Sequence, residues 1–144
     1  MKQQPLFIGI LGKPLSGKDT VARALAEADP SVAVISMGSV LWEVKTAGPT
    51  HRFWSLLEES IRVAEAGGIA PEEPICIALG TLMEERLRDG KRTVVWVAGP
   101  RNEAELQWID AWTKERGIQE KFLNIDVPDE EVYRRLNGRN EGRV

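Results

Sequence analysis

The segment Gly12-Lys13-Pro14-Leu15-Ser16-Gly17-Lys18-Asp19-Thr20 combines the groups needed to hold an oxyanion. Its glycines let the backbone curl so that successive N–H groups point at one centre. The apolar run Leu6 to Leu11 precedes it and a helical pattern, Thr20 to Ala26, follows. A helix starting there aims its positive dipole end and its unpaired N–H groups at the same anion. Lys18 adds a mobile charge for terminal phosphates, and a hydroxyl beside it ligates Mg2+ through the phosphate site. In the general pattern G-x-x-x-x-G-K-[ST] that hydroxyl directly follows the lysine; here Asp19 intervenes and Thr20 carries it. Gly12, Pro14, Leu15, Ser16, Gly17, Lys18, Asp19 and Thr20 therefore read as a phosphate-binding loop, against the plainer reading of a glycine-containing turn that only joins strand to helix.

A loop of this kind needs a sheet behind it. Leu6 to Leu11 is continuously apolar, as expected of a strand buried on both faces. Val32 to Ile35, Thr93 to Val97 and Phe122 to Val127 are three further strand patterns. Between them lie helical stretches at Ser39 to Thr46 and at Arg52 to Ala66, the latter stopped by Gly67-Gly68. Pro71 opens another helix that ends at Asp89-Gly90, Glu103 to Arg116 forms the next, and the last begins near Pro128-Asp129. Strands separated by such helices predict an α/β fold with a parallel sheet. The all-helical stretch between the second and third strands is too long for a plain crossover and is expected to form a lobe over one end of the sheet. Ligands of open parallel sheets sit beyond the carboxyl ends of the strands, so function is expected at the turns after Leu11, Ile35, Val97 and Val127.

Composition narrows the class. The 144 residues carry 19 Lys+Arg against 22 Asp+Glu, a formal charge of −3, which argues against a protein that coats nucleic acid by bulk charge. No apolar run approaches the roughly 18 residues of a membrane span, and the N-terminus lacks the long apolar centre of a signal peptide. Cys76 is the single cysteine, which excludes an internal disulfide and a cysteine-based zinc site. A cytoplasmic, monomeric, single-domain protein is expected, with no membrane or nucleic-acid partner. His51 reads as a loop or helix-start residue, Cys76 as core, and Trp108 with Trp112, four apart on one helix face, as packing.

The offset hydroxyl narrows the reading further: Gly-x-Pro-x-Ser-Gly-Lys-x-Thr resembles the phosphate loop of adenylate kinases and related nucleoside monophosphate kinases. Four more segments match in order. Ser36-Met37-Gly38 resembles the Ser-Thr-Gly that opens the monophosphate-binding lobe, and Ala66-Gly67-Gly68-Ile69-Ala70-Pro71-Glu72-Glu73 resembles that lobe's Ala-Gly-x-Leu-Val-x-Asp-Glu. Ala98-Gly99-Pro100-Arg101 resembles the Gly-Phe-Pro-Arg turn after the third strand. Val127-Pro128-Asp129-Glu130-Glu131 through Arg135-Leu136-Asn137-Gly138-Arg139 resembles the entry to the lid.

The resemblance implies a parallel-sheet nucleoside-triphosphate-binding fold with a helical monophosphate-binding insertion at 38–73 and the start of a lid at 135–144. It implies transfer of the γ-phosphate of ATP·Mg2+ to a nucleoside monophosphate, AMP by default. Lys18 would hold the β/γ oxygens, Arg101 would clamp the acceptor's phosphate, Arg135 would stack on the ATP base, and Arg139 would reach the phosphates as the lid closes. Ser36, Met37, Trp42, Ala98, Glu105 and the backbone of Gly68, Ile69 and Ala70 would line the acceptor.

Three features depart from the pattern. The family's arginine six residues after the serine of Ser-Thr-Gly is Trp42 here, with Arg52 and Arg62 as candidates to replace its charge; Trp42 would cover the site with apolar surface or stack on an unusual base. The acid expected at the end of the third strand is Val97, leaving Asp19 as its possible substitute, and the glutamine that reads adenine is Glu105. The family continues beyond Gly142-Arg143-Val144 with more lid arginines, a fifth strand and a closing helix, so a longer parent chain is expected. Two rival readings stand beside the kinase: a non-catalytic nucleotide-binding module, and a kinase of the same superfamily acting on another small-molecule acceptor.

Overall fold

Each strand expected from the sequence forms in the computed structural model of the chain, which describes residues 4–13, 15–69 and 71–141, with side chains of the last helix described to residue 137. The elements run β1 (Leu6–Gly12), α1 (Lys18–Ala28), β2 (Val32–Ser36), α2 (Met37–Ala47), a 3-10 turn (Gly48–Thr50), α3 (Trp54–Glu65), α4 (Glu72–Arg88), β3 (Thr93–Val97), α5 (Glu103–Arg116), β4 (Gln119–Ile125) and α6 (Asp129–Glu141). The strands form one sheet in the order β2-β3-β1-β4, every pair parallel. All carboxyl ends therefore lie on one edge. The chain leaves β1 past β3 to reach β2 and leaves β3 past β1 to reach β4, so the strand order reverses between β1 and β3. A crevice opens at that switch point in sheets of this kind.

Alternating side chains of β3 show how the sheet is covered. Val95 and Val97 join Ile10 and Ala22 in a small cluster under α1. Val94 and Trp96 point the other way, into the larger core with Phe7, Leu79, Met83 and Ile109. Val44 of α2 and Leu57 of α3 are fully buried in that same larger core, so residues 38–73 share apolar interior with the sheet. Each fully buried side chain of this size contributes roughly 1.5–3 kcal/mol relative to exposure. Helix α3 ends where Gly67 takes φ 83°, and the Gly68 and Gly67 N–H groups bond the carbonyls of Val63 at 2.9 Å and Ala64 at 3.1 Å. Gly67-Gly68 thus closes the helix by satisfying its last carbonyls.

The fourth strand differs from its expected bounds. It starts three residues before Phe122 and ends at Ile125, two before Val127. Its pairing with β1 runs from Leu6 opposite Gln119 to Gly12 opposite Ile125, so backbone bonding to β1 sets its length. Because β4 has one strand neighbour among the described residues and is exposed along most of its length, its first residues need not be apolar. Val127 is buried in the turn that follows. No helix among the described residues is long and apolar enough to cross a membrane.

Candidate active site

The turn after β1 closes tightly around one centre. A Cβ on Gly12 would lie 2.7 Å from the Ser16 hydroxyl and 2.8 Å from the Ile125 carbonyl oxygen, so only glycine fits. Gly17 takes φ 100° immediately before α1, a left-handed conformation that costs glycine little. The first helical bond is from the Val21 N–H to the Gly17 carbonyl at 3.0 Å, which leaves the amides ahead of it without helix partners. Lys18 reaches back across the mouth of the loop, its Nζ donating to the carbonyls of Gly12 at 2.5 Å and Lys13 at 3.1 Å. The Ser16 hydroxyl is buried against the loop and has no hydrogen-bond partner among the described residues. Pro14 lies outside the described residues.

Two clefts meet at this loop. The larger, about 760 Å3, runs along the start of α1 and is walled by Leu15, Gly17, Thr20, Arg23 and Arg135. Arg135 is fixed there by two contacts: Nη1 donates to the Leu15 carbonyl at 2.7 Å and Nε to Glu131 at 3.0 Å. Glu131 also accepts from Arg134, and these two guanidiniums, Arg134 foremost, bring its carboxyl down to about 2. Lys13 pairs with Asp129 at the start of α6, a second tie between the loop and the last helix. Of Arg139, the backbone alone lies within the described residues, at the end of α6. Arg23 was missed from the sequence; it stands four residues after Asp19, one turn along α1, a spacing that puts both on the cleft side.

The smaller cleft, about 300 Å3, lies over the carboxyl ends of β2 and β3 and is lined by Ser36, Met37, Val97, Ala98 and Arg101. Lys18 and Asp19 line both clefts. Ser36 caps α2, its hydroxyl accepting the Ser39 N–H at 3.4 Å. Ala98 takes φ 65° while its N–H bonds the Ile10 carbonyl at 2.8 Å, pinning the turn from β3 across to β1. A non-glycine residue in this region is strained, and such strain concentrates at functional turns.

Glu105 lies against Arg101 in the first turn of α5. It is fully buried, lines neither cleft, and spends its carboxylate on Arg101. Its Oε1 accepts the Arg101 backbone N–H at 2.7 Å, and its Oε2 accepts Nε at 3.0 Å and Nη2 at 2.6 Å. Asn102 starts α5 by accepting the Glu105 N–H at 2.9 Å, which turns that side chain back toward Arg101. The paired carboxylate, opposed by partial burial, raises the Arg101 guanidinium above its ordinary range.

Trp42 is 66% exposed and Ile69 86% exposed, and neither lines the smaller cleft. Gly68 is occupied in closing α3, and Ala70 lies outside the described residues. Of the candidates to replace the charge at Trp42, Arg52 forms a two-point pair with Glu85, at 2.6 and 2.8 Å, and Arg62 pairs with Glu59. His51 accepts the Phe53 N–H at 3.0 Å through Nδ1, a local role at the start of α3. Cys76 is fully buried, and burial pushes its thiol up to about 12. Trp108 and Trp112 stack on each other with ring centroids 6.3 Å apart.

A family model described as AAA domain matches residues 7–144. The chain belongs to the AAA domain family. The phosphate-binding loop between β1 and α1 lies within the matched span, as does the parallel sheet apart from Leu6. The chain is also similar to an adenylate kinase of Methanothrix thermoacetophila, 33% identical over 92% of this chain and 58% of the relative. An adenylate kinase of Fusobacterium nucleatum subsp. nucleatum is 29% identical over 96% of this chain and 63% of the relative. UMP-CMP kinase 3 of Arabidopsis thaliana is 30% identical over 98% of this chain and 64% of the relative. The chain spans about six tenths of the length of the curated relatives it matches.

The oxygen donors around the start of α1 suit a hard divalent cation that arrives with phosphates. Thr20 and Asp19 are exposed on the first turn, and the buried Ser16 hydroxyl has no partner of its own among the described residues. Those residues contain no group of three or more His, Cys, Asp or Glu side chains that could cage a metal without phosphate. Mg2+ commonly binds through one or two protein oxygens plus substrate phosphates, so this donor set fits it. Val97 adds no side-chain oxygen at the end of β3.

Proposed function

We propose that the chain binds ATP·Mg2+ in the larger cleft and a nucleoside monophosphate in the smaller one, and catalyses transfer of the γ-phosphate between them. The observation that carries this reading is the position of Lys18 and Asp19 in the wall of both clefts. A phosphoryl group held by the loop would lie at the boundary of the two spaces, with donor and acceptor on opposite sides. Phosphoryl transfer is catalysed mainly by such alignment and by spread positive charge. Amides at the start of α1 and the Lys18 ammonium hold the β- and γ-oxygens. Arg101 holds the acceptor's phosphate from the other side, and Arg135 lies along the donor's flank. Bound with ATP, Mg2+ would neutralise charge on the β/γ oxygens, with Thr20 and Asp19 as its protein contacts. The adenylate and UMP-CMP kinase names of the relatives support a nucleoside monophosphate as acceptor.

The experiment is incubation of the purified chain with ATP·Mg2+ and each common ribo- and deoxynucleoside monophosphate, followed by chromatographic separation. A new nucleoside diphosphate from one acceptor is the expected result. Val97 favours a second reading, because this residue at the edge of the smaller cleft is apolar where the resemblance expects a metal-holding acid. On that reading the chain binds ATP through Lys18 and transfers nothing, and absence of any new diphosphate beside retained ATP binding would select it.

A further inference from the structure

A guanidinium carries five N–H donors in a rigid fork. In Arg101 the edge made by Nε and Nη2 is taken by Glu105, with bonds of 3.0 and 2.6 Å to Oε2. The Glu105 side chain is 0% exposed whereas that of Arg101 is 46% exposed, so the occupied edge faces inward and the remaining one outward. Arg101 lines the smaller cleft; Glu105 does not. We infer that Glu105 is a positioning residue that holds Arg101 by its inner edge, so that the outer edge, Nη1 with the second Nη2 N–H, meets the acceptor's phosphate, and that Glu105 takes no part in reading the acceptor's base. This rests on the phosphotransfer reading above.

The plainer alternative is a helix cap. Glu105 stands three residues after Asn102 at the start of α5, the arrangement in which an acidic side chain turns back to satisfy a free backbone N–H. Its Oε1 reaches one residue beyond the cap, accepting the Arg101 N–H at 2.7 Å. The cap, however, uses only Oε1, which also accepts Nε at 3.2 Å, and Oε2 goes wholly to the guanidinium. With the inner edge held, Arg101 would meet a phosphate with two parallel donors already aligned, so little rotamer freedom is lost on binding. The acceptor is then recognised through its phosphate, and position 105 confers no preference for adenine.

Glu105→Gln separates the possibilities. The amide oxygen can replace Oε1 at the Arg101 N–H, which preserves the cap, while the amide nitrogen faces Nη2 and cannot accept. Steady-state transfer from ATP·Mg2+ to AMP, CMP, UMP and GMP is measured for both proteins, with melting temperature alongside. Expected is a rise in KM by the same factor for every accepted monophosphate, roughly tenfold from the loss of a charge-assisted bond, with kcat within about twofold. A KM change confined to one base would overturn the inference in favour of base reading. An unchanged KM would reduce Glu105 to a cap.

A second measurement does not depend on turnover or on the variant folding. Arg101 side-chain nitrogen resonances of the unmodified chain are followed while AMP is added. Nη signals that shift while Nε–H stays protected from solvent exchange support the inference. Loss of Nε–H protection, or no response at either nitrogen, overturns it. Absence of transfer from ATP to every acceptor beside the supporting nitrogen pattern would count against the kinase reading alone.

Discussion

Arg135 in α6 donates through Nη1 to the carbonyl oxygen of Leu15 at 2.7 Å, tying the last helix to the phosphate loop. Leu15 itself takes φ 63°, so its carbonyl is presented by a backbone conformation uncommon for a branched side chain. The contact fixes one wall of the larger cleft. Arg135→Ala is expected to raise the KM for ATP roughly tenfold, the scale of one lost bond to a charged group, with the acceptor KM within about twofold. Because the side chain is partly exposed, the melting temperature should barely move. Matched changes in both KM values would show that Arg135 acts on the fold.

Lys18 lies where both clefts converge, and its substitution separates binding from chemistry. Lys18→Met removes the mobile charge from the loop and is expected to lower transfer by about 10²-fold or more, comparable to losing one preorganised electrostatic donor. Its two bonds to loop carbonyls are local, so the circular dichroism spectrum should be that of the parent chain. Turnover retained near the parental rate would remove Lys18 from the mechanism.

The helical stretch 38–73 shares its interior with the sheet, and Leu57 tests that unity. Leu57 is fully buried in α3 within the cluster that also contains Phe7 of β1. Leu57→Ala is expected to cost about 2–5 kcal/mol. Denaturant unfolding followed by tryptophan fluorescence and by circular dichroism should shift together as one transition. Two separated transitions would show that the insertion unfolds as an independent unit.

Glu120 on β4 gives a pH dependence of defined sign. Burial pushes its carboxyl from 4.5 up to about 7, with the nearby Asp110 carboxyl adding to the rise and the Thr113 hydroxyl, which donates to it at 3.1 Å, offsetting part of it. Between those values the folded chain holds this proton more tightly than the unfolded chain does. The contribution of Glu120 to stability is therefore greatest below pH 4.5 and is lost as pH rises through about 7. Glu120→Gln should flatten that fall: relative to the parent chain, its melting temperature gains between pH 5 and 7.5. Parallel profiles for the two proteins would contradict the assignment.

Positions governed by local backbone physics were legible in advance. The span Thr93–Val97 forms as expected, because a β-branched run bounded by Gly90 and Gly99 has few alternatives, and α5 forms over Glu103–Arg116 for the like reason that Asn102 and Gly117 stop it at both ends. The start of β4 was not legible, because Gln119 and Glu120 belong to the strand through backbone bonds to β1 and carry no apolar signal. The partner of Glu105 was not legible for a different reason. The spacing of Glu105 from Arg101 is visible in the sequence, but not its burial, which leaves the guanidinium as its charged partner.

The sequence by itself determined the α/β order, the parallel sheet and the phosphate loop, since glycine spacing, apolar runs and helix signals act over a few neighbouring residues. It also placed Thr20 at the start of a helix that follows a buried strand, with Lys18 and Asp19 immediately before it. Only the tertiary structure decided that Lys18 and Asp19 wall two clefts, that Arg135 reaches the Leu15 carbonyl, and that Glu105 holds Arg101. The first two relationships join segments far apart in the chain. The third joins near neighbours, yet it depends on how completely the packed interior removes Glu105 from water, and the price of burying a charge is set by the whole fold.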